Sequence, residues 1–197
     1  MIRLFLGNDC SGRVGAADNA FSDTMSCAVK PAEKRHLESF PSIERAAAEM
    51  FSLKDLPLQL RSELTSMDVF QEAMLRGLLW VAVDESDAAI GFLLADIVDG
   101  NFHIKEMDVH PDHARRGLGT KLLYCAFCAA SEQNYRYITL TTFEHIPWNA
   151  PFYRGHGFTV MRERHCGKKL SAIIAEERKR GLKNRIAMYR QVSLENL

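Results

Sequence analysis

Apolar residues recur at helical spacing along the first third of the chain, beyond an irregular start. Residues 31–51 predict a helix interrupted at Pro41, because apolar side chains return to one face every three to four residues. A polar connection covers residues 52–66. A second helix is predicted over residues 67–76, and Gly77 ends it.

The pattern then changes to short apolar runs and to alternation, which are typical of strands. Hairpin strands followed by a strand–helix–strand crossover predict a mixed α/β (α+β) layer domain. Residues 1–28 lack periodicity and predict a poorly ordered extension, so the folded domain is expected to span residues 29–197. The elements predicted after Gly77 are strands at 78–84, 89–98 and 101–110, a helix at 117–133, a strand at 135–143, a helix at 150–156, a strand from 158 to 161, a helix at 169–180 and a strand at 186–192.

Composition suits one globular domain, with 197 residues, a hydrophobic share of 47% and a charged share of 25%. The formal net charge is zero, which gives no indication of a nucleic-acid or membrane partner. The charge is uneven, however: residues 38–72 hold seven acids and three bases, and residues 162–185 hold nine bases and three acids. These segments are either solvated surface or an acidic substrate side and a basic side.

The cysteines and the start of the chain indicate the compartment. Five cysteines without regular spacing favour thiols in a reducing environment, and no metal-ligand spacing is evident, so no metal is expected. No apolar run has the length of a membrane span, and the start lacks the apolar region of a signal peptide. We therefore expect a cytoplasmic protein.

The segment VHPDHARRGLGTKLL, residues 109–123, marks a change from strand to helix. The first N–H groups of a helix lack partners, and the helix dipole adds partial positive charge there. Gly117 and Gly119 let a ligand approach the backbone, and Arg115 and Arg116 add charge that suits phosphate oxygens. The segment predicts a pyrophosphate site or, alternatively, a tight turn with solvated arginines. Neither G-x-x-x-x-G-K-S/T nor a full G-x-G-x-x-G is present.

This segment resembles the acetyl-CoA-binding motif of the GNAT superfamily of N-acetyltransferases, whose core is Gln/Arg-x-x-Gly-x-Gly/Ala. WNAPFYRGHGF, residues 148–158, is similar to the motif that follows in that family, and the order of elements agrees over about residues 29–192. The resemblance implies a single GNAT-like domain with a mixed central β-sheet flanked by helices, in which two adjacent strands splay to form an acetyl-CoA cleft. Ala114 stands where the family has Gln or Arg, so one phosphate contact is expected to be missing unless Arg115 or Arg116 replaces it.

The resemblance also implies where acetyl-CoA, the acetyl donor, lies. Its pantetheine arm is expected to pair with the backbone of residues 106–109, and its pyrophosphate is expected to rest on the loop and first helical turn. Asn149 is expected to orient a water or the cofactor, or else to be a helix N-cap. The implied cofactor-binding residues are Met107, Asp108, Val109, Ala114, Arg115, Arg116, Gly117, Leu118, Gly119, Thr120, Asn149 and Tyr153.

Acetyl transfer from a thioester to an amine needs a base for the amine and an acid for the leaving thiolate. Tyr153 stands where many family members have the acid, although an aromatic packed at a helix start is the alternative. Glu106 is the candidate base, which would take the proton of the amine through a water molecule. The alternative is that Glu106 is a structural hydrogen-bonding partner at a strand bulge. His103 is a weaker candidate, placed by alternation on the opposite face from Glu106. No nucleophile arrangement stands out, which favours direct transfer.

The acceptor is expected to approach near residues 40–75, where the acidic excess lies. This favours a cationic primary amine, either a small molecule or a peptide amine. A protein lysine or N-terminal acetyltransferase and a non-catalytic acetyl-CoA sensor remain alternatives. A homodimer is compatible with these interpretations. An apolar wall of the acceptor site could be formed by Phe51, Leu53 and Trp80, although a place in the hydrophobic core is the alternative for all three. Trp148 is expected in the core.

Overall fold

The computed structural model describes residues 27–192, which form a mixed seven-stranded sheet flanked by helices. The strand order is β1-β2-β3-β4-β5-β7-β6, and every neighbouring pair is antiparallel except the parallel pair β4–β5. This confirms the predicted fold class. The strands are β1 (Ala28–Pro31), β2 (Leu79–Val83), β3 (Ala89–Val98), β4 (Asn101–Val109), β5 (Tyr137–Phe143), β6 (Thr159–Met161) and β7 (Arg185–Gln191).

Helices cover the sheet because β2 and most of β3 are buried along continuous apolar runs, which requires cover on both faces. Phe92 of β3 packs against Phe40 and Phe70, with ring centroids 4.6 and 5.3 Å apart. The helices are α1 (Lys34–Leu37), α2 (Phe40–Glu49), α3 (Leu58–Arg61), α4 (Met67–Leu75), α5 (Leu118–Glu132), α6 (Ala150–Gly155) and α7 (Lys168–Lys179), with 3-10 turns at Pro111–His113 and Glu163–His165.

The structure differs from the sequence predictions in three details of the first part of the domain. Strand β1 was not predicted, and it pairs with β2 along the sheet edge. The break in the first helix lies before Phe40, and Pro41 sits in the first turn of α2, where its missing N–H costs nothing. Helix α3 lies inside the segment predicted as a polar connection. Residues 1–26 of the predicted extension lie outside the described residues, whereas its last two residues, Cys27 and Ala28, are described, and β1 begins at Ala28.

Cysteines 27, 125, 128 and 166 form no disulfide within the part of the chain that the structure describes. Cys125 and Cys128 are partly accessible on α5. Over residues 27–192, no helix combines the length and the apolar character that crossing a membrane requires.

Candidate active site

The centre of the site is the point where β4 and β5 part. Their parallel pairing ends at Ile104 and Leu140, although β4 continues to Val109 and β5 to Phe143. A cleft of about 780 Å³ opens between the two strands. Residues 106–109 stay paired to β3 on their other edge, so their β5-facing edge meets the cleft. An extended ligand can therefore pair with this edge as a strand would.

At one end of the cleft, the loop after β4 turns into α5. Arg115 and Gly117 have φ values of 61° and 76°, in the left-handed region, and Gly117 is the N-cap of the helix. The first bond into the helix runs from Lys121 N–H to Gly117 carbonyl O at 3.0 Å. The N–H groups of residues 118–120 precede it, where a helix has no internal acceptor. The arrangement suits an anion.

Gly119 leaves the first turn of α5 bare on the cleft side. A β-carbon there would lie 3.4 Å from Phe152 Cζ and 3.8 Å from Met107 Cε. Ala114 and Arg115 also line the cleft, whereas Arg116 does not and donates to the Asp112 carbonyl O at 3.1 Å. Of these two arginines, Arg115 is therefore the one that lies beside the cleft near Ala114. All other residues expected at the cofactor also line this cleft.

Tyr153 lies on α6 and is half-buried in the wall of the cleft. Its ring packs edge-on against Phe152 and Phe158, with centroids 5.2 and 5.6 Å away. Burial, and then the negative charge of Asp108, raise the pKa of its phenol, and Arg185 offsets part of this rise. The phenol therefore stays protonated at neutral pH, as a proton donor must.

Glu106 and Asp108 lie two residues apart on β4, and both line the cleft. Burial raises the pKa of Asp108 to about 7, with a hydrogen bond to Glu106 opposing the rise and the charge of Glu44 adding to it. Asp108 keeps some accessible surface, but its carboxyl lies deep in the wall. The pKa of Glu106 is raised well above its usual value by burial, then by the charges of Asp108 and Glu44. The two carboxyls titrate as a pair.

Sequence reasoning missed Glu44 and Thr65, which complete this acidic group. Glu44, on α2, is only 6% exposed, and its Oε1 accepts from Thr65 N–H at 2.9 Å. Thr65 Oγ1 donates to Glu106 Oε2 at 2.9 Å. Nothing local in the sequence marks these residues, because Glu44 reads as one more acid of a helix and Thr65 as part of a polar connection.

His103 is not part of the site. The pairing of β4 with β3 shifts between Ile104 and Glu106, so Lys105 is an extra residue and simple alternation does not hold across it. The prediction of opposite faces for His103 and Glu106 therefore rested on a rule that fails here. The His103 ring is buried and bonds Thr139 Oγ1 at 3.0 Å, and burial lowers its pKa to about 4.

Asn149 occupies the N-cap position of α6, but its side chain makes no capping bond. Its Oδ1 instead accepts from Thr142 Oγ1 of β5 at 2.8 Å, which fixes the start of α6 to the splayed strand. Trp148, expected in the core, is 47% exposed and lines the cleft, 6.1 Å from the Phe51 ring.

The three residues predicted to form an apolar wall lie in three different environments. Phe51 lines the cleft, and Trp80 is buried in the core as the alternative reading held. Leu53 lies neither in the core nor in the cleft wall, because it is 62% exposed and does not line the cleft. The expectation of a core position for Leu53 was therefore wrong.

Arg185, at the start of β7, is a further cleft residue that the sequence did not indicate. Its guanidinium is paired with Glu177 of α7 through two bonds of 2.7 and 3.0 Å, and it also donates to Thr141 Oγ1 at 3.1 Å. The guanidinium lies over the Phe143 ring, 4.6 Å from its centroid. This places a positive charge near Tyr153 on the β5 side of the cleft.

Residues 76–160 match the family model described as an acetyltransferase (GNAT) domain. This match includes β4, the loop into α5, α5, β5 and α6, which supply most of the cleft lining. Over these residues the chain is similar to the GNAT acetyltransferases, which supports an acyltransferase that uses acetyl-CoA as its donor.

Several solved structures share the fold of this chain. A GNAT-family acetyltransferase from Staphylococcus aureus Mu50 has a TM-score of 0.65 and 15% identity, over 85% of this chain and 100% of that chain. The PaiA N-acetyltransferase of Thermoplasma acidophilum, in complex with coenzyme A, has a TM-score of 0.62 and 16% identity, over 85% of this chain and 99% of that chain. The ribosomal-protein-S18-alanine N-acetyltransferase of Escherichia coli has a TM-score of 0.59 and 18% identity, over 87% of this chain and 99% of that chain.

The residues present fit coenzyme A. The open edge of β4 suits an amide-containing arm that adds to a strand edge, and the bare turn at Gly119 suits a pyrophosphate at a helix start. Neither feature depends on a Gln or Arg side chain at position 114, where this chain has Ala114.

Proposed function

We propose that this protein transfers the acetyl group of acetyl-CoA directly to a cationic primary amine. One observation carries this proposal: a phenol and a carboxyl pair line the same cleft, beyond the turn that suits the cofactor's phosphates. Tyr153 acts as the acid, and Glu106 and Asp108 together act as the base. The chemistry of direct transfer requires these two functions and no covalent enzyme intermediate.

The amine must lose a proton before it attacks. An alkyl ammonium has a pKa of about 10.4, so freeing the lone pair at pH 7 costs about 4.6 kcal/mol. A base is most effective when its pKa lies near the working pH. The pKa of about 7 at Asp108 meets this condition, whereas burial raises the pKa of Glu106 well above its usual value, so we assign Asp108 a larger part than the sequence indicated.

The thiolate that leaves must gain a proton. A thiol has a pKa of about 8.5, and a donor of higher pKa can protonate its anion while staying neutral beforehand. Burial keeps Tyr153 in this state, and Arg185 lies close enough to stabilise negative charge that develops on the phenol. The S–C bond breaks, the N–C bond forms, and the Tyr153 proton goes to sulfur.

A peptide amine is the second candidate for the acceptor. Exposed apolar side chains lie on the α2–α3 side and beside the cleft at Met50, Leu53, Leu58 and Trp148, which is more apolar surface than a small polyamine needs. A peptide N-terminus followed by an apolar side chain would use both this surface and the carboxyl pair. The S18-alanine N-acetyltransferase, which shares the fold, acts on a protein amine by its name.

A thiol-release assay over a panel of amines tests the proposal. The panel contains diamines, aminoglycosides, lysine peptides and peptides with free apolar N-termini, each with acetyl-CoA, and mass spectrometry identifies the acetylated product. We expect release with at least one primary amine and none with its N-acetylated form. If calorimetry shows binding of acetyl-CoA but no amine of the panel causes thiol release, the sensor alternative is favoured. If acetyl-CoA does not bind, the proposed cofactor site is wrong.

A further inference from the structure

A second, smaller cavity lies beside the cleft, between α2, α3 and β4. This recess has a volume of about 200 Å³, and it shares Phe51, Glu106 and Asp108 with the cleft as a common wall. One water molecule needs only roughly 10–15 Å³ of such space, so the recess is large enough for part of a ligand. An acceptor whose amine lies at the two β4 carboxyls can therefore extend from the cleft into the recess.

Glu44 gives the recess a hydrogen-bond acceptor that the protein leaves unused. This residue of α2 lines the recess and is only 6% exposed. Its Oε1 accepts the Thr65 N–H bond, whereas its Oε2 is buried and has no hydrogen-bond partner within residues 27–192. Buried polar atoms are nearly always hydrogen-bonded, because an unpaired one loses its hydration without compensation. Oε2 is therefore placed to accept an N–H group of a ligand.

Arg61 of α3 gives the same recess a positive charge and hydrogen-bond donors. Its Nε donates to the Leu56 carbonyl oxygen at 3.1 Å, and its Nη2 donates to the Phe51 carbonyl oxygen. Both acceptors are neutral, so these bonds leave the charge of the guanidinium uncompensated, and a guanidinium has further N–H groups for a ligand. Glu63, which also lines the recess, pairs with Arg180 of α7.

Together, Arg61 and Glu44 define the chemistry of the group that fits the recess. A ligand there meets a donor and an acceptor, and a peptide group answers both with its carbonyl oxygen and its N–H. A protonated diamine has only donors, and it would bring a second positive charge next to Arg61. The carboxylate of a free amino acid has no N–H for Glu44. The rest of the wall is apolar and is formed by Ala48, Phe51, Leu56, Leu60 and Leu64.

We propose that the recess binds the first peptide group of a peptide acceptor, with the carbonyl oxygen on Arg61 and the N–H on Glu44 Oε2. The carbonyl and the N–H of a trans peptide point in opposite directions, and the two partners come from two different helices, α2 and α3. The inference deepens the proposed function and rests on it, because it needs the N-terminal amine at Glu106 and Asp108. Peptides with free N-termini are then the acceptors, and diamines are not.

Matched acceptors test the peptide contacts. A set of tripeptides with free N-termini is compared with depsipeptides in which an ester oxygen replaces the first peptide N–H, and with diaminobutane. We expect kcat/KM to be about tenfold higher for the peptides than for the esters, since a hydrogen bond to a carboxylate is lost, and lower still for the diamine. A sulfur atom in place of the first carbonyl oxygen is a weaker acceptor for Arg61 and should also lower kcat/KM. A diamine that reacts as well as the peptides would overturn the proposal.

Glu44→Gln tests the assignment of the N–H contact. A Gln side chain still accepts the Thr65 N–H bond, but it presents an NH2 group where Oε2 was. Thr65 also donates to Glu106, so the rate itself can change, and the readout is the ratio of peptide to ester kcat/KM, which should fall to near one. Glu63→Gln is the matched control, because this acid of the same recess is paired with Arg180, and it should keep the full ratio. A full ratio in Glu44→Gln would overturn the assignment.

Product binding gives a second test that needs neither turnover nor a variant. An N-acetylated tripeptide and its ester analogue are titrated by calorimetry into the protein loaded with coenzyme A. We expect the peptide product to bind about tenfold more tightly, and equal affinities would contradict the recess contact. The proposal and the proposed function fail separately. Acetylation of diamines but of no peptide would leave acetyl transfer standing and overturn the assignment of the recess, whereas acetylation of no amine would overturn the proposed function.

Discussion

The cofactor end of the cleft and its carboxyl end are built from different parts of the chain. At the cofactor end, consecutive residues 114–120 present backbone groups at a helix start, and the important side chains are small or absent. At the carboxyl end, side chains from α2, the segment at Thr65, β4 and α6 meet across long sequence separations. A ligand bound by backbone needs only a local motif, whereas proton transfer needs groups whose pKa values depend on burial by distant elements.

The largest effect should separate chemistry from cofactor binding. Tyr153→Phe removes the proton donor but keeps the ring that packs against Phe152 and Phe158. We expect kcat to fall about 10²-fold or more, in the range of general acid catalysis, with little change in acetyl-CoA affinity. Steady-state kinetics and calorimetry measure the two quantities. A variant that lost affinity but kept kcat would break the division between the two ends.

The second prediction concerns pH at the carboxyl end. Because the base must be ionised, kcat/KM should rise with pH up to about 7, following the raised pKa of Asp108. Asp108→Asn should lower kcat/KM and remove or displace this limb, since Glu106 alone titrates in a changed environment. The measurement is a pH–rate profile at saturating acetyl-CoA. An unchanged profile in the variant would exclude Asp108 from the base.

The third prediction concerns the cofactor end. Gly119→Val places a branched side chain against Phe152 and into the bare turn, so the Kd for acetyl-CoA should rise about tenfold or more, or about 1.4 kcal/mol. Gly155→Val is the control, because a β-carbon there meets nothing within 4 Å. Calorimetry gives both affinities. Equal losses in the two variants would show a general effect of valine in a helix and not a blocked site.

The smallest effect should distinguish the two arginines. Arg115 lines the cleft, whereas Arg116 bonds the Asp112 carbonyl. Arg115→Ala should raise the Kd for acetyl-CoA about threefold, since an exposed charge contributes less than about 1 kcal/mol, and Arg116→Ala should raise it less. Added salt should reduce the difference. If Arg116→Ala has the larger effect on the Kd, Arg116 and not Arg115 is the arginine that compensates for Ala114.

The sequence by itself determined the mixed fold, most strands and helices, and the loop from β4 into α5, because each depends on local periodicity or on neighbouring residues. It did not determine that β1 joins the sheet edge, since a four-residue strand carries too little pattern. It also placed His103 by alternation, which the extra residue Lys105 in β4 interrupts.

Only the tertiary structure decided the carboxyl end of the site. Glu44 and Glu106 are 62 positions apart, and burial of both next to Asp108 is what raises the pKa values of the β4 pair. Trp148 and Arg185 reach the cleft because β5 turns away from β4, not because of any motif around them. Desolvation and charge proximity belong to the packed chain as a whole, and no local spacing can specify them.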